Sequence, residues 1–198
     1  MNVRPLTKEV GLQLAEWRNA SREALRTGWT TPAQQERFVE RNFLDDYMYW
    51  QFEENVTLEK KDQRGMAPLA AGGFVHIERT IQRAEIALIV HPLARRQGFG
   101  LKCAEWILHE GFVFQNFKTI WGECHTTGPV AFWKKIADKY HAHVASMPNT
   151  FYWNGWQGSV LFSIDRGDYE PTDEARIVVP TLGSRVGNRE DDLACTNT

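Results

Sequence analysis

The sequence predicts an α/β (α+β) domain in which a mixed central sheet of about six or seven strands is flanked by about four helices. Three observations predict it. Strand-like and helix-like segments follow in the order strand, two helices, a meander of strands, then helix, strand, helix and closing strands. One strand runs through Pro92 into a basic, glycine-rich turn and on into an amphipathic helix. Eight Trp and eleven Phe among 198 residues favour one packed core or an aromatic-lined pocket.

Each element has its own signal. Val3 to Leu6 reads as a short strand. Thr7 can cap a helix whose apolar stripe is Val10, Leu14, Trp17, Ser21, Ala24 and Leu25. Thr31 caps a second helix, with Pro32 in its first turn and Phe38, Val39 and Phe43 along it. Tyr47 to Glu53 alternates aromatic and polar side chains, as a half-buried strand does, and Glu59 to Gly65 is a charged turn. Leu69 to Ile77 and Glu85 to Val90 form a hairpin around Arg79 to Arg83. A helix over Gly98 to Phe114 places Leu101, Ala104, Leu108, Gly111 and Phe112 on one face. Thr119 to Cys124 is a strand and Pro129 to Tyr140 a helix. Val144 to Met147, Thr150 to Trp153 and Ser159 to Ile164 are closing strands.

Residues 1–165 form the domain and residues 166–198 a polar tail, disordered or loosely docked, with Ile177-Val178-Val179 its single apolar run. The tail sets four arginines against seven acids, a net of -3, which leaves +1 for the rest of a chain of net charge -2. A dedicated nucleic-acid binder shows a strong basic excess, and none is present. Cys103, Cys124 and Cys195 are an odd number without regular spacing, so a reducing cytoplasm is the expected setting. No apolar run approaches the ~20 residues of a membrane helix, and no signal-peptide core is expected. The sequence leaves room for a homodimer.

The segment Glu85-Ile-Ala-Leu-Ile-Val-His-Pro-Leu-Ala-Arg-Arg-Gln-Gly-Phe-Gly100 carries the chemistry. Glycines let backbone N–H groups converge without a Cβ in the way, and a helix start adds orphan N–H groups and the positive dipole end. Arg95 and Arg96 add formal charge suited to forking onto phosphate. A pyrophosphate is the natural guest.

The spacing Val90-x-Pro92-x-x-Arg95-x-x-Gly98-x-Gly100, on a strand–turn–helix, resembles the acyl-CoA-binding motif of the GNAT N-acetyltransferase superfamily. The order of elements over residues 1–165 is similar too. Trp17-Arg18-Asn19 and Phe151-Tyr152-Trp153-Asn154-Gly155-Trp156 resemble the sugar-nucleotide and ribosomal-protein acetyltransferase branches. The resemblance implies an acyl-CoA-dependent N-acyltransferase with acetyl-CoA as co-substrate and no metal. A primary amine, on a small molecule, a sugar nucleotide or a peptide N-terminus, attacks the thioester directly, beside a fourth strand splayed from the fifth. Val90, Arg95, Arg96, Gln97, Gly98, Phe99 and Gly100 would hold the donor. Trp17, Arg18 and Trp133 would line the acceptor site, where Arg18 could meet an acidic group. Other readings of the same fold are a nucleic-acid-base-modifying enzyme and a non-catalytic acyl-CoA sensor.

The reaction needs a base, an oxyanion site and a proton for the thiolate. Glu85 stands where several branches carry a strand glutamate as base, or else faces outward from a strand start. His125 at the end of the fifth strand is a second base candidate, and Cys124 a weaker candidate for an acylated nucleophile. The family's usual helix tyrosine, the acid, is replaced by Trp133 or Phe132, whose rings cannot serve as acids. Tyr152 and Tyr140 are the substitutes. A zinc site from Cys124, His125, His141 and His143 fits no standard spacing.

Overall fold

The chain builds one seven-stranded sheet, in the order β1–β2–β3–β4–β5–β7–β6. The strands are β1 (Asn2–Pro5), β2 (Met48–Leu58), β3 (Gln63–Glu78), β4 (Arg83–Val90), β5 (Thr119–His125), β6 (His143–Tyr152) and β7 (Trp156–Asp165). The α-helices among the described residues are α1 (Lys8–Asn19), α2 (Pro32–Glu40), α3 (Phe99–His109) and α4 (Val130–Lys139). Every strand pair is antiparallel except β4–β5. The computed structural model describes residues 1–21, 29–42, 46–58, 63–125, 129–152 and 156–171, and excludes the side chains of 55–58, 63–65, 125, 149–152 and 156–157. The expected positions of Ala24, Leu25, Phe43, Trp153, the Asn154-Gly155 turn and Ile177 to Val179 lie outside the described residues.

Side chains alternate across the sheet and meet helices on both faces. On one face Leu6, Val10, Leu14 and Trp17 pack with Tyr49, Ala71 and Ile89. On the other, α3 and α4 bring Phe99, Ala104, Ile107, Leu108, Trp133 and Ile136 onto Phe74, Ile86, Ile120 and Phe162. The caps behave as read: the Thr7 Oγ1 accepts from Val10 N, and Thr31 with Gln34 closes a capping box ahead of Pro32. Gln35 locks α2 to α1: it is fully buried, and its Nε2 donates to Gly11 O at 2.6 Å. Gly11 makes that approach feasible, because a Cβ there would stand 2.5 Å from Val39.

Four local expectations are corrected. The second strand is covered on both faces: Tyr49, Trp50, Gln51, Phe52 and Glu53 are all buried. Its polar members are satisfied internally, Gln51 Oε1 accepting from Thr7 N at 2.9 Å and Glu53 Oε1 accepting from Arg4 Nε at 2.8 Å. The two strands expected between Val144 and Trp153 are one strand, β6, paired along β7 with a register shift between Met147 and Phe151. The long helix ends at His109 and widens into a π-turn over Glu110–Phe114, closed by Gln115 N donating to Glu110 O. Finally, the packed chain runs past Asp165. A 3₁₀ turn over Arg166–Asp168 brings the buried Tyr169 ring to 4.9 Å from Phe112 and 5.3 Å from Tyr140. No helix among the described residues is long and apolar enough to cross a membrane.

Tyr169 therefore belongs to the core. Tyr169→Ala is expected to destabilise the protein by about 3 kcal/mol, the ordinary cost of truncating a buried aromatic ring. That corresponds to a fall in melting temperature of roughly 6–12 °C for a domain of this size, and calorimetry checks it.

Candidate active site

The β4–β5 ladder has three pairs, Arg83↔Thr119, Ala84↔Ile120 and Glu85↔Trp121. Beyond them β4 follows β3 as far as Val90, while β5 follows β7 as far as His125. The two strands part after Glu85, and a cleft of about 360 Å³ opens in the gap. One face of the sheet contributes Arg18, Phe38, Tyr47, Tyr49, Glu85 and Glu123; the other contributes Ile86, Leu88, Cys124 and Trp133.

Glu85 is buried, at 3% exposure, and shares a 2.7 Å hydrogen bond between its Oε2 and His76 Nδ1. His76 reaches it because β3 is irregular there. The register shifts between Val75 and Glu78, and His76 has φ 48. A bulge of this kind re-aims one side chain. The imidazole lies parallel to the Trp121 ring, 13° apart with centroids at 6.5 Å.

Arg18 is held from two sides. Its Nη1 donates to Gln35 Oε1 at 3.0 Å, and its guanidinium lies 4.5 Å from the Phe38 centroid. Tyr49 is the buried phenol of the cleft. Burial raises its pKa; the charge and hydrogen bond of Arg18 oppose the rise, and Glu85 and Tyr47 add to it. It therefore stays protonated and able to donate. Trp133 stacks on Phe162 at 4.9 Å and 26° and forms the apolar wall.

The turn after β4 is braced from within. Arg95 Nε donates to Val90 O at 3.1 Å, and its Nη2 donates to Ser21 Oγ. Gln97 Nε2 donates to Leu93 O at 3.0 Å. His91 Nδ1 accepts from Leu93 N at 3.2 Å while its ring meets Trp17 edge-on at 5.0 Å. Burial and then Arg95 lower the His91 pKa, which keeps the ring neutral and able to accept. Gly98, at φ 77, is the N-cap of α3, and Phe99 anchors the helix start in the core. Gly100 lies close under Val90: a Cβ there would come 3.2 Å from Val90 Cγ2 and 3.5 Å from the Phe132 ring. Arg96, exposed and at φ 62, points the turn's remaining formal charge outward.

No family model matches the chain, and no curated protein matches it in sequence. Solved structures do match. Mutant forms of the spermidine/spermine N-acetyltransferase SpeG from Vibrio cholerae are similar at TM-score 0.68 and 14% identity, over 85% of this chain and 95% of that one. An N-acetyltransferase from Staphylococcus aureus Mu50 is similar at TM-score 0.61 and 15% identity, over 83% and 97%. This chain has the GNAT fold.

Within the GNAT fold the sequence-predicted residues divide into groups. Glu85, Arg18 and Trp133 line the cleft, while Val90 to Gly100 form the turn that follows β4 and do not line it. Trp17 does not line the cleft; it is buried in the core under α1, behind the turn. Arg95 is folded back as a brace of the turn, and Phe99 is a core residue that brings only its backbone to the helix start. The backbones of His125 and Tyr152 end β5 and β6, and their side chains lie outside the described residues. Tyr140 is not in the cleft, since its ring packs on Tyr169 and burial raises its pKa. Cys124 and His143 oppose Val160 and Ser163 of β7, from strands on its two sides. About 10 Å along the sheet and about 10 Å across it then separate them, too far for one metal ion. His143 lies instead with Asp165 and Asp168, their ligand atoms within 4.8 Å of one another. The residues of the site that sequence reasoning missed include His76, Tyr49, Tyr47, Phe38 and Glu123. Tyr49 carried a signal, the alternation with Tyr47 on one face of β2; His76 required the bulge, which no local pattern announces.

Gly98→Asp forces an L side chain into left-handed backbone, and Gly100→Asp pushes against Val90; both add a carboxylate where a phosphate would sit. Each is expected to weaken CoA binding ten-fold or more in calorimetry, about 1.4 kcal/mol per decade. Unchanged affinity in both folded variants would exclude this turn as a pyrophosphate cradle.

Proposed function

We propose that the protein is an acyl-CoA-dependent N-acyltransferase that moves an acetyl group from acetyl-CoA to a primary amine by direct attack. The carrying observation is the buried Glu85 carboxyl, inside the cleft and at the last residue before β4 and β5 part. The reading joins three features. The β4 edge from Ile86 to Val90 has no β5 partner and suits an extended amide chain such as pantetheine. The α3 start, with Gly98 as N-cap and Arg96 exposed beside it, suits a pyrophosphate. Acetyl-CoA, when bound, supplies the thioester.

The acceptor reaches the gap from the α1–α2 side. There Glu85, Glu123 and the rings of Phe38, Tyr47 and Tyr49 form a surroundings suited to an ammonium group. The Vibrio cholerae neighbour is named for spermidine and spermine, which supports a small-molecule amine here as well. Glu85 takes a proton from the ammonium, and the freed lone pair forms the C–N bond as the C–S bond breaks. Tyr49, held protonated chiefly by burial, is the phenol placed to give a proton to the departing sulfur, and the second proton lost from the nitrogen as the amide forms restores it. We place the enzyme in the cytoplasm, in keeping with Cys103 and Cys124 as thiols rather than a disulfide.

Release of CoA across a panel of small amines tests the reading, and no release with any amine would favour an acyl-CoA sensor. Glu85→Gln is expected to lower kcat by ~10² with KM for acetyl-CoA nearly kept, and the lost rate to return as pH rises toward the amine's own pKa. Tyr49→Phe is expected to lower kcat by about 10²-fold, the low end for loss of an acid. A fully active Tyr49→Phe would return the acid role to Tyr152 or to water.

A further inference from the structure

We propose that His76 carries the proton collected by Glu85 out to solvent, as a positioning and relay residue acting through Glu85. The inference rests on the reading of Glu85 as base. An ammonium loses two protons on becoming a secondary amide. The leaving sulfur takes one as thiol, and the other must reach water in every turnover. Glu85 is poorly placed to release it alone, because its side chain is 5% exposed. His76 touches the same carboxyl through Nδ1 at 2.7 Å and is itself 57% exposed in its side chain. The pair thus spans the distance from the buried floor of the cleft to the surface.

The fold goes out of its way to make this contact. A residue at φ 48 lies in the left-handed region, which L side chains rarely adopt. Such conformations persist where the surroundings over-determine them, and they cluster at functional sites. Here the bulge in β3 turns the imidazole onto Glu85, whose ladder partner on β3 is Val75. The Trp121 ring below the imidazole fixes its plane. The charged and titratable groups around the pair come from every neighbouring element. They are Arg83 on β4, paired with Glu78 on β3 and 5.7 Å from the Trp121 ring, and Glu123 on β5. Among the described residues, Tyr47 and Tyr49 on β2 and Arg18 on α1 also face the pair across the cleft.

The step moves one proton and no electrons. Glu85 accepts it from the amine as a carboxylic acid and passes it from Oε2 to Nδ1. The resulting imidazolium gives up its Nε2 proton to water, and exchange at the exposed edge restores the starting tautomer.

Two substitutions suit the backbone at this position. Asn tolerates left-handed φ and can still bond the carboxyl but carries no proton; Gly tolerates it and leaves room for a free imidazole. Steady-state kinetics on the full chain is expected to show kcat about ten-fold lower in both His76→Asn and His76→Gly, with KM for acetyl-CoA unchanged. Added imidazole should restore His76→Gly in proportion to its concentration and leave Glu85→Gln as it was. Full rate in His76→Asn overturns the relay while the base assignment stands. So does a His76→Gly variant that imidazole restores no better than Glu85→Gln. Full rate in Glu85→Gln instead removes the base, and the relay with it.

Discussion

The parting of β4 from β5 after Glu85 and Trp121 is the constraint on which the rest of the molecule depends. A parallel pair normally continues while both strands last, because each residue added satisfies another backbone donor and acceptor. Here β4 keeps β3 on one side for five more residues and presents its other edge to a cleft. An open edge in the middle of a sheet is a template for another extended chain. Because α3 begins directly beyond the same strand, that edge and the helix N-terminus are fixed relative to one another by covalent continuity. A ligand with an extended arm and a terminal pyrophosphate matches both at once.

The gap is held open by aromatic packing. Gly122 on β5 lies against the Phe162 ring, so closely that a Cβ would come within 2.5 Å of it, and the same Cβ would stand 3.1 Å from Ile86. Trp133 stacks on the same Phe162 ring, with centroids 4.9 Å apart. The floor beneath the gap is therefore two stacked rings in close contact with β4 and β5, and water gains little by entering it. In this fold Trp133 at the start of α4 is a wall. The titratable groups Tyr49, Glu85 and His76 line the cleft from the opposite face of the sheet, which is where we place the proton chemistry.

What the sequence showed and what it concealed differ in range. The strand–turn–helix from Glu85 to Gly100 was readable because its parts are adjacent in the chain: each glycine, the proline and the strand signal sit within sixteen residues. Caps at Thr7 and Thr31 were readable for the same reason. The burial of Gln51 and Glu53 was not, since their partners are Thr7 and Arg4, more than forty residues away. Trp17 shows the reverse error. Its neighbours in the chain suggested an acceptor site, but helical periodicity points it at His91 and the core, and only the next residue, Arg18, reaches the cleft. His76 was hidden by regularity: in an unbroken strand it would alternate with Val75 and Ile77, and only the bulge moves it onto Glu85.

The same packing decides the sign of charge the cleft prefers. Arg18 by itself would invite an anionic acceptor. Yet its Nη1 is taken by Gln35, its face by Phe38, and its remaining influence falls on the Tyr49 phenol. Gln35 cannot give way easily, because it is fully buried and its amide also ties α2 to Gly11. The guanidinium is thus part of the wall, with one donor and one face engaged before any ligand arrives. Among the described residues lining the cleft, Glu85 and Glu123 are two carboxyl groups beside the one guanidinium of Arg18, set among ring faces whose quadrupoles also favour positive charge. An ammonium that enters meets attraction from both sources. In the proposed reaction, an ammonium that gives a proton to Glu85 becomes a neutral amine and loses one attraction, which leaves the nucleophile free to move toward the gap between β4 and β5. On the proposed reading, binding the cation and releasing the neutral product thus follow from one arrangement of charge, fixed by residues of α1, α2, β2, β4 and β5.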